Sequence, residues 1–320
     1  KITERDKITR DSAMIDDLMV RINTANLDEQ IYAKISRIEY NQNILKDITL
    51  SGRNENNRVL HIATNFKHGT PEQEIKQELK EYAINLNQTT DGAGNYVFRF
   101  EPTSVTFNNV AWNIDTDPAL NHSITYRKKT GDFLIQNLRI YSDTSELFLE
   151  KSIFKSAKDF SAEGEVRNLD IAKVMALVQN QNTLDLKGVA NGTFNIKMDK
   201  NNLEPLINVN IDDIFMNGKA MGKIQIETKN SAIPNVFDVD VRVQSATGSL
   251  IGANDLHLTG TINNNTASPT LDLVAKMNDF DVAFAQQFVT GIFSNLRGKA
   301  FGDLRITGSL SDVDYSGDIA

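Results

Sequence analysis

Four histidines are the side chains best suited to bind a metal ion or to exchange protons near neutral pH. They are His61, His68, His122 and His257. None of them falls in an HExxH or HxH pattern, which would bring two imidazole groups to one metal ion. We therefore interpret the histidines as surface or strand-edge residues, and we predict no metal site and no cofactor.

Paired carboxylates are the second group that could do chemistry, as general acid and base. Asp238 and Asp240 alternate with apolar residues, so they would lie on the wet face of a strand rather than in a cleft. Residues 312–317 resemble the first half of an EF-hand calcium loop, but the Glu required at position twelve would lie beyond Ala320. We interpret this segment as a turn and predict that the chain is not an enzyme.

Composition excludes further classes of function. The chain has 320 residues, no cysteine and a formal net charge of −8, so it would repel the phosphates of nucleic acid and cannot form disulfides. No stretch approaches the roughly 18 apolar residues that span a bilayer as a helix. The sequence also opens without a signal-peptide pattern. We expect a fragment, or a mature chain whose targeting signal lies elsewhere.

The elements that position these residues show an alternation with a period of two. Apolar residues at 237, 239, 241 and 243 alternate with polar residues at 238, 240, 242 and 244, which predicts strands with one apolar and one wet face. Helical spacing interrupts this pattern at 170–181 and 281–293, and a short helix or charged loop is predicted at 71–79. The predicted fold is therefore all-β and mostly antiparallel, with two or three short helices.

An internal repeat is the most specific feature of the sequence. Residues 168–172 and 186–196 match residues 279–283 and 296–306, so that Asp281 follows Asp170 by 111 residues and Gly302 follows Gly192 by 110. A stack of similar units would produce such a repeat, whereas a single enclosed sandwich would not need it. The repeated glycines Gly188, Gly192, Gly298 and Gly302 are interpreted as bulges or bends that curl a sheet.

This repeat resembles the TamB/AsmA-like family of envelope proteins, and specifically the C-terminal segment of a TamB-like chain. The resembling unit is an Asn/Asp-Leu/Phe-Asp-Ile/Val helix start, then a Leu-x-Gly-x-Ala-x-Gly-x-Leu/Phe-x-Ile strand and a Gly-x-Leu turn, here at 308–310. The resemblance implies an elongated, curved, taco-like β-sheet groove built from repeats. It divides the chain into a less regular groove segment, 1–159, and two repeats, 160–270 and a truncated 271–320.

The resemblance also implies a function and a set of partners. Proteins of this family lie in the periplasm of the Gram-negative cell envelope, anchored in the inner membrane by an N-terminal segment that these residues do not include. They shield phospholipid acyl chains between the two membranes and support outer-membrane protein assembly through a BamA/TamA-like barrel.

The resemblance predicts that the alternating apolar residues line this groove. They are Phe194, Ile196, Ile207, Val209, Ile211, Ile224, Ile226, Val239, Val241, Val243, Leu256, Leu258, Leu271, Leu273, Leu304 and Ile306. The alternative from another class is a β-solenoid or sandwich adhesin or scaffold, with a closed interior and no lipid path. A carbohydrate-active β-enzyme is a third reading, which would need an inward-facing acidic pair in a cleft.

Overall fold

The computed structural model describes most of the chain. The described residues are 2–3, 13–22, 31–40, 43–55, 58–107, 110–178, 185–199, 202–216, 218–244, 255–265, 269–282, 298–309 and 312–320. Every strand pairing among them is antiparallel, which confirms the all-β, mostly antiparallel prediction. The chain divides into two compact units, Lys1–Ser142 and Asp143–Ala320, called unit 1 and unit 2 below. Residues 159 and 160, between which the sequence analysis divides the chain, lie at the start of the strand Asp159–Asp170 within unit 2.

Unit 1 contains eleven strands among its described residues. They are β1 Ile2–Thr3, β2 Ala13–Ile22, β3 Ile31–Tyr40, β4 Asn43–Glu55, β5 Val59–Gly69, β6 Lys80–Thr90, β7 Tyr96–Phe100, β8 Ser104–Phe107, β9 Val110–Ile114, β10 Ser123–Arg127 and β11 Asp132–Ser142. Strands β1 to β7 pair in chain order, after which β7 pairs with β10, β10 with β11, β11 with β9 and β9 with β8. Strands β8 and β9 pair with Ser104 opposite Asn113 and Phe107 opposite Val110.

Unit 2 is a simpler meander, in which each of ten described strands pairs with the next one along the chain. They are β12 Ser145–Ser156, β13 Asp159–Asp170, β14 Leu186–Asp199, β15 Asn202–Met216, β16 Lys219–Asn230, β17 Val236–Gln244, β18 Asp255–Asn263, β19 Thr270–Asp281, β20 Lys299–Ser309 and β21 Asp312–Ile319. The segment 312–317, predicted as a turn, therefore lies within a strand.

The sequence repeat of unit 2 is also a repeat of hydrogen-bond register. Val166 faces Gly192 in the β13–β14 pair, and Met277 faces Gly302 in the β19–β20 pair. Each pair then skips two residues of the first strand, between Val166 and Leu169 and between Met277 and Phe280. The β14–β15 and β20–β21 hairpins match in the same way, since Phe194 faces Ile207 and Leu304 faces Gly317. Strands β13 to β15 are thus structural equivalents of β19 to β21.

The repeated glycines stand where the backbone leaves the conformations that other residues favour. Gly188 has φ 156° and coincides with a register shift between Lys187 and Val189. At Gly192, φ is 148°, and a Cβ atom built there would overlap the backbone oxygen of Asn208. Gly298 and Gly302 have φ 113° and 118°. Only glycine adopts these conformations without strain. The φ values therefore agree with the interpretation of these positions as bulges or bends.

The described helices are short. Helix α1, Pro71–Ile75, begins with a capping box: Gln73 donates its backbone N–H to the Thr70 hydroxyl (3.3 Å), and the Gln73 side-chain oxygen accepts from the Thr70 N–H (2.9 Å). Helix α2, Ile171–Val178, begins after Asp170, whose carboxylate accepts the Ala172 N–H at 2.9 Å. A 3₁₀ turn covers Pro118–Leu120. Of the predicted helix 281–293, Asp281 instead ends strand β19, and residues 283–293 lie outside the described residues.

Candidate functional site

The strand register of unit 2 gathers the apolar residues into rows that run across the sheet. Residues directly opposite each other on antiparallel strands project to the same face. One row consists of Val166, Gly192, Val209, Ile226, Val241, Leu258, Ala275 and Leu304. The next consists of Gly164, Phe194, Ile207, Thr228, Val239, Gly260, Leu273 and Ile306. All sixteen residues predicted to line a groove lie on this one face, called the apolar face of unit 2 below.

The apolar face of unit 2 is only partly covered by the described residues. Val239, Val243 and Leu273 are buried, whereas the other thirteen of the sixteen residues are half-buried. In a closed sandwich the facing sheet would bury nearly all of such residues. The face therefore presents apolar side chains that retain access to a ligand.

One end of this face is closed by packing. Ile214, Val243 and Phe280 form a buried cluster, against which Ile211, Leu256 and other partly buried residues pack. Helix α2 lies against β14 and β13 near the same end of the strands. The strand ends here are therefore fixed by apolar contacts, and the half-buried rows begin beyond them.

The opposite face of the same strands is polar. A representative row consists of Asn210, Gln225, Arg242, His257 and Lys276. Asp240 lies on this face, where it accepts from Arg242 at 3.0 Å and lies 3.1 Å from His257. Burial alone would raise the pKa of Asp240, but these two partners outweigh it and hold the pKa below its usual range. The Asp240 carboxylate is thus engaged by Arg242 and His257 within the sheet.

A broad depression of about 620 Å³ crosses this polar face over strands β12 to β16. Its walls carry Glu163, Glu165 and Glu227 together with Lys229. The lining also includes Phe194 and Ile207, which belong to the apolar face and lie between polar-face neighbours that line the depression too. The depression is therefore separate from the apolar face, and its carboxylates point to the wet side.

Unit 1 carries a second apolar face, which the sequence reasoning did not specify by residue. One row consists of Ile22, Ile31, Gly52, Ile62, Leu86 and Phe100, and a neighbouring row of Val20, Ala33, Leu50, Thr64 and Ile84. The signal that could have found these rows is the alternation at 31, 33 and 35 and at 60 and 62. Thr64 and Gln88, which also lie on this face, weaken that signal.

The histidines occupy separate places, as their spacing suggests. His122 is buried, so its interpretation as a surface or strand-edge residue is wrong. Its Nε2 accepts the Phe100 N–H at 2.9 Å, and burial lowers its pKa. His61 lies between Glu55 (2.8 Å) and Glu101 (3.2 Å), and these hydrogen bonds raise its pKa. Because the two carboxylates contact opposite ring nitrogens, they cannot share one metal ion with His61. No cluster of three or more metal-binding side chains occurs among the described residues.

The single tryptophan, Trp112, is buried in β9 of unit 1 and lies in none of the apolar rows described above. Across the described part of the chain, none of the helices is long and apolar enough to cross a membrane.

Comparisons with protein-family models, with curated proteins and with solved structures each find no match. The resemblance to TamB/AsmA-like proteins thus rests on the sequence pattern of the repeat alone.

Proposed function

We propose that this chain is a segment of a β-sheet groove that shields lipid acyl chains from water. The observation that carries the proposal is the apolar face of unit 2, on which all sixteen candidate residues project together while most remain half-buried. A long apolar ligand suits such a face, because the row from Val209 to Leu304 is apolar on every strand from β15 to β20. An acyl chain has this form.

The energetic requirement matches what the face offers. Burying a methylene group is worth about 0.8 kcal/mol, so a chain of about sixteen carbons needs a dry surface worth more than about 10 kcal/mol to cross an aqueous space. Adjacent strands lie about 4.8 Å apart, so the seven strands from β14 to β20 offer rows about 29 Å long. The polar opposite face keeps such a sheet in water.

The family resemblance supports a more specific version of this proposal. By analogy with TamB/AsmA-like proteins, the groove segment would act in the periplasm, in phospholipid transport between the inner and outer membranes. Its partners would be phospholipid acyl chains and a BamA/TamA-like barrel, with the inner membrane reached through an N-terminal anchor. In this arrangement α2, which lies against β13 and β14, would cap one side of the groove.

The test is native mass spectrometry with lipid extraction on the chain purified from a Gram-negative host. Val241→Asp places a charge in the middle of the apolar face and should abolish copurified phospholipid. The matched control is Gln225→Asp, which adds the same charge on the polar face, one strand away and opposite Arg242. It should retain the lipid. Asp240→Lys is a poorer control, because Asp240 already pairs with Arg242 and His257.

Two outcomes would overturn the proposal. Equal lipid loss in Val241→Asp and Gln225→Asp would show that the apolar face is not the binding surface. A folded parent chain without lipid would favour the adhesin or scaffold alternative, in which the face packs against protein. Circular dichroism of each variant checks that both units remain folded.

A further inference from the structure

The apolar face of unit 1 ends in an aromatic row at the tip of the β10–β11 hairpin. Tyr126 faces both Tyr96 on β7 and Phe133 on β11, and the rings of Tyr126 and Phe133 lie 5.2 Å apart. Tyr96 and Phe133 are 40% and 44% exposed, which is unusual for aromatic residues within paired strands. The row therefore exposes aromatic ring surface to solvent at this end of the strands.

Two lysines follow this row in the turn of the hairpin. Lys128 places its Nζ 3.7 Å from the centre of the Tyr96 ring, and Lys129 is exposed. No carboxylate of the described residues pairs with either ammonium group, whereas the adjacent Arg127 is held by Asp132 at 2.6 Å. The tip thus carries uncompensated positive charge on a chain whose net charge is −8.

A hairpin tip in unit 2 has the same composition. Phe154 faces Phe160 across the β12–β13 pair, with ring centres 5.8 Å apart, and Phe154 is 50% exposed. One basic residue of the turn is again ion-paired, Lys155 to Asp159 at 3.2 Å, while Lys158 is exposed. The row continues through Met198 on the apolar face. Two hairpins with different sequences thus share one arrangement.

We propose that these aromatic and lysine tips bind the anionic phospholipid surface from which acyl chains enter the apolar faces. Aromatic rings with a polar or cationic neighbour favour the boundary between headgroups and acyl chains, and lysine stems extend so that their ammonium groups reach the phosphates. The free lysines complement anionic headgroups and not zwitterionic ones. The inference rests on the proposed function for its ligand class, but its test does not depend on that function.

The experiment is co-sedimentation of the full chain with vesicles of phosphatidylcholine alone and with vesicles that also contain phosphatidylglycerol. Binding should require phosphatidylglycerol and weaken as salt is added. Lys128→Glu/Lys129→Glu should lower the affinity by at least about thirtyfold, because each lysine near an anionic surface is worth about 1 kcal/mol. Tyr96→Ser/Phe133→Ser should weaken binding without removing its salt dependence.

The matched control is Lys34→Glu/Arg53→Glu, which makes the same change in net charge at exposed mid-strand positions of unit 1, on the face opposite its apolar rows. Equal loss of binding in the control, or equal binding to both kinds of vesicle, would overturn the inference. Native mass spectrometry of the same variants separates the two proposals. If the tip variants lose vesicle binding but keep copurified phospholipid, both proposals stand. If the parent chain ignores vesicles but carries phospholipid, only the inference about the tips fails.

Discussion

In unit 1 the strands are joined on their polar side by partly buried ion pairs, whereas in unit 2 they are joined by apolar packing and close backbone contact. Glu74 of α1 reaches both Arg37 and Lys46 at 3.2 Å, and Asp132 is held by Arg127. In unit 2 the cross-strand pair of Arg305 with Asp272 is more than half exposed at both side chains, where such a pair contributes little. The same two-faced sheet is thus stabilised by two different means.

The first way to test this comparison is Gly192→Ala in unit 2, and it has the largest expected effect. A Cβ atom would meet the backbone of Asn208 and Val209 while φ is 148°, so we expect a loss of about 3 kcal/mol or more in the free energy of unfolding. Urea denaturation measures the loss, and hydrogen exchange should localise the opening to unit 2.

Gly92→Ala is the control, because nothing lies within 4 Å of a Cβ atom at that turn of unit 1. A Gly192→Ala protein as stable as the parent would mean that β14 and β15 do not approach each other as closely as described.

The second test removes an ion pair from unit 1. Asp132→Asn leaves the partly buried Arg127 without its carboxylate, and we expect unit 1 to lose about 2 kcal/mol. Asp272→Asn in unit 2 should cost less than about 0.5 kcal/mol, since the pair with Arg305 is exposed. Urea denaturation of both variants measures the two losses in the free energy of unfolding. Losses of similar size would remove the distinction between the units.

The smallest expected effect concerns His61 and pH. Its pKa is raised in the folded state because the protonated ring donates hydrogen bonds to Glu55 and Glu101, so its contribution is fully present below about pH 6.5 and is lost as pH rises through the raised pKa. We expect about 0.5 kcal/mol of stability in unit 1 to disappear over that interval. Glu55→Gln should reduce this pH dependence of stability. If the pH dependence were unchanged in that variant, it would arise from another titrating group.

Unit 2 could be predicted from sequence because its alternation is regular and its repeat fixes equivalent positions. The helix predicted at 170–181 is present as Ile171–Val178 among the described residues. The strand residues at 237–243 alternate as expected, and the register brings them opposite Leu256, Leu258 and Ile262. What alternation alone could not give was the order of the strands, which here follows the chain.

Unit 1 was harder to predict because apolar and polar residues alternate less regularly along its strands. Asp47 has φ 53°, and the β4–β5 pairing shifts register beside it, between Lys46 and Thr49. Strand β2 was not recognised, because Asp16 and Asp17 interrupt the apolar pattern in its middle. Strand β6 was also missed, because its sequence at 80–90 contains many polar residues. Its partners on both sides, β5 and β7, supply the apolar pattern that the strand itself lacks.

The shared register of β13 to β15 and β19 to β21 has a genetic consequence. A crossover that joined Asn191 directly to Gly302 would give β13 a partner strand with every residue in an equivalent position, because Gly302 already occupies the place of Gly192. The product would be shorter by six strands, or about 29 Å at about 4.8 Å per strand. The reverse event, a duplication of the same segment, would lengthen the sheet by six strands. Unequal recombination could thus change the number of strands by whole repeats, while the division into one apolar and one polar face is preserved.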